Sequence, residues 1–222
     1  LSNFDCLKRI WLMQIMEMHG TAVLLIDPYN DFIHPEGKWY GNVKESLEAT
    51  ETVKHMRRLI QAARAAHIPI YYCLHQQYKP GNYDGWNRMT SYHIGMKEGR
   101  VIEEGSWGAQ IYEGMEPDLA NGDVVVSKHW NASSFQNTDL DYLLHQRDIT
   151  KLVCAGMTSN QCLECTARYG KELGYDVTLL SNATAGFTIE QKDAAVKLIW
   201  PLLVERVMTV EEWADSIGAP KQ

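Results

Sequence analysis

Short apolar or β-branched runs alternate along the chain with longer segments of helical period. Thr21 to Pro28 (TAVLLIDP) is nearly continuous in apolar residues, the pattern of a strand buried on both faces of a parallel sheet. Between Glu45 and His67, the positions Val53, Met56, Leu59, Ile60 and Ala63 recur at spacings of three and four, with Arg57, Arg58 and Arg64 among them. That spacing predicts one helix. Pro69 opens a second strand (PIYYCLH) that ends at His75. Residues 76–122 are rich in Gly, Tyr, Trp and Asn and have little periodicity; so long an unpatterned stretch is usually functional. Asp123–His129 (DVVVSKH), Lys151–Gly156 (KLVCAG) and Asp176–Leu180 (DVTLL) predict three further strands, and Arg206–Val210 predicts an edge strand. Helices are predicted over Asp139–Gln146, Gln161–Leu173, Ile189–Ile199 (ended by Pro201) and Glu211–Ile217.

This alternation predicts an α/β fold, doubly wound in three α/β/α layers, with a mostly parallel, Rossmann-like sheet of about six strands. The 222 residues suit one full-sized domain over 21–222, preceded by an N-terminal extension over 1–20. In that extension Lys8 and Arg9 precede IWLMQIM, but Gln14 and Glu17 interrupt the apolar run and no small-residue cleavage site follows. No secretory signal is expected, and a start at Leu1 rather than Met reads as a truncated beginning. Apolar residues at 45% and charged residues at 22% exclude wholesale disorder. A net charge of −7 disfavours nucleic acid as a partner, and no apolar run is long enough to suggest a membrane span. Five cysteines, an odd number, point to a reducing, cytoplasmic setting rather than a disulfide framework.

In doubly wound sheets, ligands sit beyond the carboxyl ends of the strands. Strand one ends in Asp27, strand three in Lys128, and strand four runs into GMTSNQCLECTAR, whose Cys162 opens a helix. Each residue has an ordinary structural explanation: a turn aspartate, a solvated lysine, a small buried cysteine. Together on one rim they form a nucleophile, its base and a cation. A helix N-terminus and a neighbouring ammonium lower a thiol pKa, an aspartate can move the thiol proton, and backbone N–H groups after Gly156 can face an oxyanion. Acyl transfer is the chemistry such a set performs.

The segments DPYNDF, SKHWNASSF and GMTSNQCLECTAR, in this order and on these strands, resemble the three signatures of the isochorismatase-like cysteine hydrolases. The resemblance covers roughly Thr21 to Ile217. It implies an Asp27–Lys128–Cys162 catalytic triad, and a cis peptide between Met157 and Thr158 that sets the N–H groups of Thr158 and Cys162 as an oxyanion hole. It also implies a small-molecule substrate and a homodimer or homotetramer. The metal-binding members carry an Asp-x-His pair after the second strand; here the sequence is CLHQQYKPGNYDGW, so neither a metal nor any other cofactor is expected. Cys162 favours covalent cleavage of an amide or ureido C–N bond, with the vinyl ether of isochorismate as the alternative substrate.

Tyr29, Phe32, His75, Gln76, Trp107, Trp130 and Phe135 are the candidates for substrate binding, being aromatic or hydrogen-bonding residues near the predicted strand ends. Arg88, Lys97 and Arg100 are candidate partners for a substrate carboxylate. Cys162 and Cys165 also form a C-x-x-C, the basis of a rival reading as a thiol redox protein.

Overall fold

Strand β1 (Thr21–Ile26) is buried along its whole length because parallel neighbours cover both of its edges. On one side lies β2 (Ile70–Cys73), on the other β4 (Lys151–Met157). With β3 (Val124–Val125), β5 (Asp176–Ala185) and β6 (Arg206–Met208) they form one six-stranded, all-parallel sheet in the order β3-β2-β1-β4-β5-β6. The computed structural model describes residues 18–220, so nearly all of the expected extension lies outside the described residues. No helix among the described residues is long and apolar enough to cross a membrane.

Side-chain alternation divides β1 between two cores. Val23 and Leu25 face a core shared with α1 (Asn30–Ile33), α2 (Tyr40–Ala49), α3 (Thr52–Ala65) and α9 (Val210–Ser216). Ala22, Leu24 and Ile26 face the other, shared with α5 (Leu140–His145), α6 (Glu164–Glu172) and α8 (Trp200–Leu203). The remaining helices are α4 (Ser91–Gly99) and α7 (Ile189–Ala194). Three layers result. The strand order reverses between β1 and β4, so a crevice opens at their carboxyl ends.

Several elements differ from the sequence expectation. The single helix expected over 45–67 is two, α2 and α3, separated at Glu51, whose φ of 48° is left-handed. The buried stripe of α2 (Val43, Leu47) and that of α3 (Met56, Leu59, Ile60, Ala63) are about half a turn out of phase at ~3.6 residues per turn. One straight helix cannot bury both. Strand β3 keeps only Val124 and Val125 of the expected 123–129, after which a single parallel bridge joins His129 to His75. The helix expected to end before Pro201 widens into a π-turn over Ala195–Ile199 and resumes as α8, with Pro201 in the first turn, where no N–H is required. Residues 76–122 hold α4, closed at its start by a capping box between Thr90 and His93.

Two features fix the crevice. Asp31, 2% exposed, accepts the Lys38 N–H at 3.0 Å and the Ile102 N–H at 2.6 Å, tying the turn before α2 and the loop after α4 to the end of β1. Gly156, in β4, has a φ of +118°, and a Cβ there would stand 2.1 Å from the Ile26 carbonyl oxygen. Asp31→Ala leaves two N–H groups without their acceptor, and urea denaturation is expected to show a loss of about 2–4 kcal/mol. Gly156→Ala meets backbone on both steric and conformational grounds; a loss of about 3 kcal/mol or more, read from thermal or urea melts, is the expected outcome.

Candidate active site

At the end of β1 the chain turns sharply through Asp27, whose φ is 52°. This turn carries the carboxylate inward, to 1% exposure. A carboxylate so buried requires donors. The His75 N–H, at the end of β2, donates to Asp27 Oδ1 at 2.6 Å, and His129 Nε2 stands 3.4 Å from the same oxygen. From the other side comes Cys162, held in a π-turn over Ser159–Leu163 that links β4 to α6. The ligating atoms of Asp27, His129 and Cys162 all lie within 4.8 Å of one another. Among the described residues it is the one group of His, Cys, Asp or Glu tight enough to be weighed as a metal centre. A carboxylate, an imidazole and a thiol at such distances are placed for proton exchange.

The titration behaviour follows from burial and these contacts. Burial, then the Asp27 carboxylate, pushes the Cys162 thiol well above its ordinary value. Cys162 therefore rests as a thiol beside a carboxylate, not as the lowered-pKa thiolate expected from the helix start and a lysine. Burial and the neighbouring His129 take His75 down to about 4, so it is neutral. His75 Nδ1 lies 2.9 Å from the Gln76 carbonyl oxygen, while its Nε2 is buried without a partner. His129 is shifted the other way: burial lowers it, but the Asp27 carboxylate and the Asn131 carbonyl outweigh burial and raise it above the ordinary value.

An apolar cavity of about 320 Å³ opens on this cluster. Phe32, Trp39, Val43, Tyr92 and Phe187 wall it, and Asp27, Cys162, Met157 and Thr158 complete it. Trp39 and Tyr92 stack, with ring centroids 5.1 Å apart. The Met157–Thr158 peptide is cis. A second, more polar cavity of about 500 Å³ also touches Cys162, lined by Thr90, Ser91, Asn131 and Gln161, with Tyr92 bordering both. No lysine or arginine lines either cavity among the described residues.

The structure thus brings Asp27, Cys162, Met157, Thr158 and Phe32 together. Lys128 it does not. That side chain is half-buried and, among the described residues, has no ion pair or hydrogen bond; the adjacent His129 reaches Asp27 instead. The other expected substrate contacts stand outside the cavity walls. Tyr29 is a strut whose hydroxyl donates to the His75 carbonyl at 2.8 Å. His75 supports Asp27 through its backbone. The Gln76 N–H is tied to the His129 carbonyl. Trp107 is exposed and packs on His34, and Trp130 packs against Trp86. Phe135 belongs to the core on the opposite sheet face, stacked on Tyr169. Lys97 pairs with Asp84 and Arg100 with Glu103, away from the site, and Arg88 lines neither cavity.

Trp39, Tyr92, Phe187 and His129 escape sequence reasoning. The first three come from separate segments with no shared motif. For His129 the signal is its place beside Lys128 in the same motif, one position further along the chain.

Comparison with known proteins agrees with this architecture. The model of the Isochorismatase domain matches residues 21–212. A ureidoacrylate amidohydrolase, RutB, from Enterobacter sp. (strain 638) is 30% identical over 213 residues, covering 90% of this chain and 90% of that protein. Its counterpart from Serratia proteamaculans (strain 568) is 28% identical over 213 residues, covering 90% of this chain and 84% of that one. Among solved structures, a cysteine hydrolase from Pseudomonas syringae pv. phaseolicola 1448A is similar at a TM-score of 0.72 and 27% identity, over 89% of this chain and 92% of that one. On the strength of the domain match, the chain belongs to the isochorismatase family of hydrolases.

Proposed function

We propose that the chain hydrolyses a C–N bond, amide or ureido, of a small molecule through a thioester on Cys162. The observation that carries this is the meeting of a buried carboxylate and a protonated thiol at the edge of an apolar cavity. The similarity to ureidoacrylate amidohydrolases over nine-tenths of the chain supports the same bond type. The substrate carbonyl stands over Cys162 with its apolar side among Trp39, Tyr92 and Phe187. Its nitrogen faces the polar cavity of Thr90, Ser91, Asn131 and Gln161.

As sulfur bonds to the carbonyl carbon, its proton passes to Asp27, so a thiolate forms only as it is consumed. The N–H groups of Thr158 and Cys162 receive the oxyanion. Collapse breaks the C–N bond, and the leaving nitrogen takes the proton back from Asp27. Asp27 then removes a proton from water as the oxygen attacks the thioester. The C–S bond breaks, the acid departs, and the proton returns to sulfur. Atoms and charge balance over the cycle, with water as the only co-reactant.

A panel of amides, ureides and isochorismate, scored by kcat/KM, tests the bond type: turnover concentrated on C–N substrates is the expected result, and turnover confined to isochorismate defeats it. Cys162→Ala is expected to lower kcat by about 10³-fold or more and to remove a covalent acyl adduct seen by intact-protein mass spectrometry. Cys165→Ala, which alters a half-buried thiol on α6, is expected to leave hydrolysis within about twofold; its abolition would favour the dithiol reading instead.

A further inference from the structure

We infer that His129, carried as an imidazolium, is the cation paired with Asp27 beside the Cys162 thiol, the place the sequence motif assigns to Lys128. The inference rests on the hydrolase reading for its catalytic meaning, but not for its geometry.

The surroundings of the two ring nitrogens argue for the charge. His129 Nδ1 lies 2.5 Å from the Asn131 carbonyl oxygen, and Nε2 lies 3.4 Å from Asp27 Oδ1. The Asn131 carbonyl only accepts, so Nδ1 carries a hydrogen. Nε2 makes no hydrogen bond, but it faces the buried Asp27 carboxylate at ion-pair distance, where a lone pair would meet negative charge and a protonated, positive ring is favoured. His75 is the contrasting case in the same cluster: one nitrogen faces an acceptor, the other faces nothing, and the ring is neutral. The two rings meet edge to face, 5.1 Å between centroids. The His129–Asp27 contact is long for a hydrogen bond, so its effect is mainly electrostatic. Both side chains are 1% exposed, so water screens this pair little.

Every element around His129 contributes a group that bears on its charge. The end of β1 supplies Asp27, the end of β2 the neutral His75, the turn before α6 the Cys162 thiol, and α4 supplies Tyr92 and His93. His93 Nε2 is engaged with the Trp130 carbonyl. Asp27 is thus the one carboxylate in the group, and His129 its one side-chain cation among the described residues. Without that cation, the Asp27 oxygens lose an electrostatic anchor and the nearby thiol loses a compensating positive charge. The sign of the pH effect follows. The raised His129 pKa keeps the imidazolium below it, and its support for Asp27 and for thiolate formation fades as pH rises through it.

The test needs no substrate. Ring ¹⁵N shifts of His129 in the whole protein read its charge: an imidazolium at pH 7 that turns neutral in Asp27→Asn is expected, and a neutral tautomer in the unmodified protein overturns the inference. In parallel, iodoacetamide alkylation of Cys162, resolved by peptide mass spectrometry between pH 5 and 9, reports thiolate formation. His129→Gln is expected to slow it about tenfold near neutrality, corresponding to an upward thiol shift of about one pH unit. His129→Lys, which returns a cation, should recover much of that loss. Lys128→Met should displace the profile less than His129→Gln does. A His129→Gln profile that superimposes on the unmodified protein, or a larger displacement from Lys128→Met, overturns the assignment. Absence of turnover across the substrate panel would instead count against the hydrolase reading, leaving both measurements readable.

Discussion

A carboxylate placed at 1% exposure is tolerable only where donors and a compensating charge surround it, and the end of β1 is built around that requirement. The parallel pairing of β1 with β2 brings the His75 N–H to Asp27. The bridge between His75 and His129 sets the imidazole on the same oxygen. The pairing of β1 with β4, close enough at Gly156 to exclude any side chain, delivers the turn that holds Cys162. Three strand ends converge because one buried negative charge is satisfied by all three.

The same requirement explains why the thiol rests protonated. A free thiolate beside Asp27 would be a second anion in a buried, largely apolar space, and burial alone already disfavours it. In the proposed mechanism, proton transfer concerted with bond formation avoids that state, since negative charge moves from carboxylate to substrate oxygen without accumulating on sulfur.

Much of the fold is legible in the sequence because buried parallel strands are continuous apolar runs. TAVLLI and KLVCAGM are found in this way, and Asp27 and Cys162 follow from the rule that ligands gather at strand ends. The broken helix at Glu51 is hidden because each half is correctly periodic; only the phase between the halves reveals the bend. Helix α4 is hidden for a different reason. It buries only His93 and Met96 of its nine residues, too few to print a stripe. The cavity walls come from positions 39, 92 and 187, which no local pattern connects. Lys128 and His129 are adjacent in sequence and opposite in direction, and the strand's early end at Val125 removes the alternation that would tell them apart.

The light anchoring of α4 has a consequence for how such an enzyme diversifies. Tyr92 borders both cavities, yet the helix beneath it is secured by its cap and two side chains rather than by the sheet. Changes along this helix can reshape what the molecule accepts while the strands that hold Asp27 and Cys162 stay unaltered. On the proposed function, part of recognition resides on a segment that can vary independently of the strand ends carrying Asp27 and Cys162, so a new substrate can be acquired without rebuilding the chemistry that cleaves it.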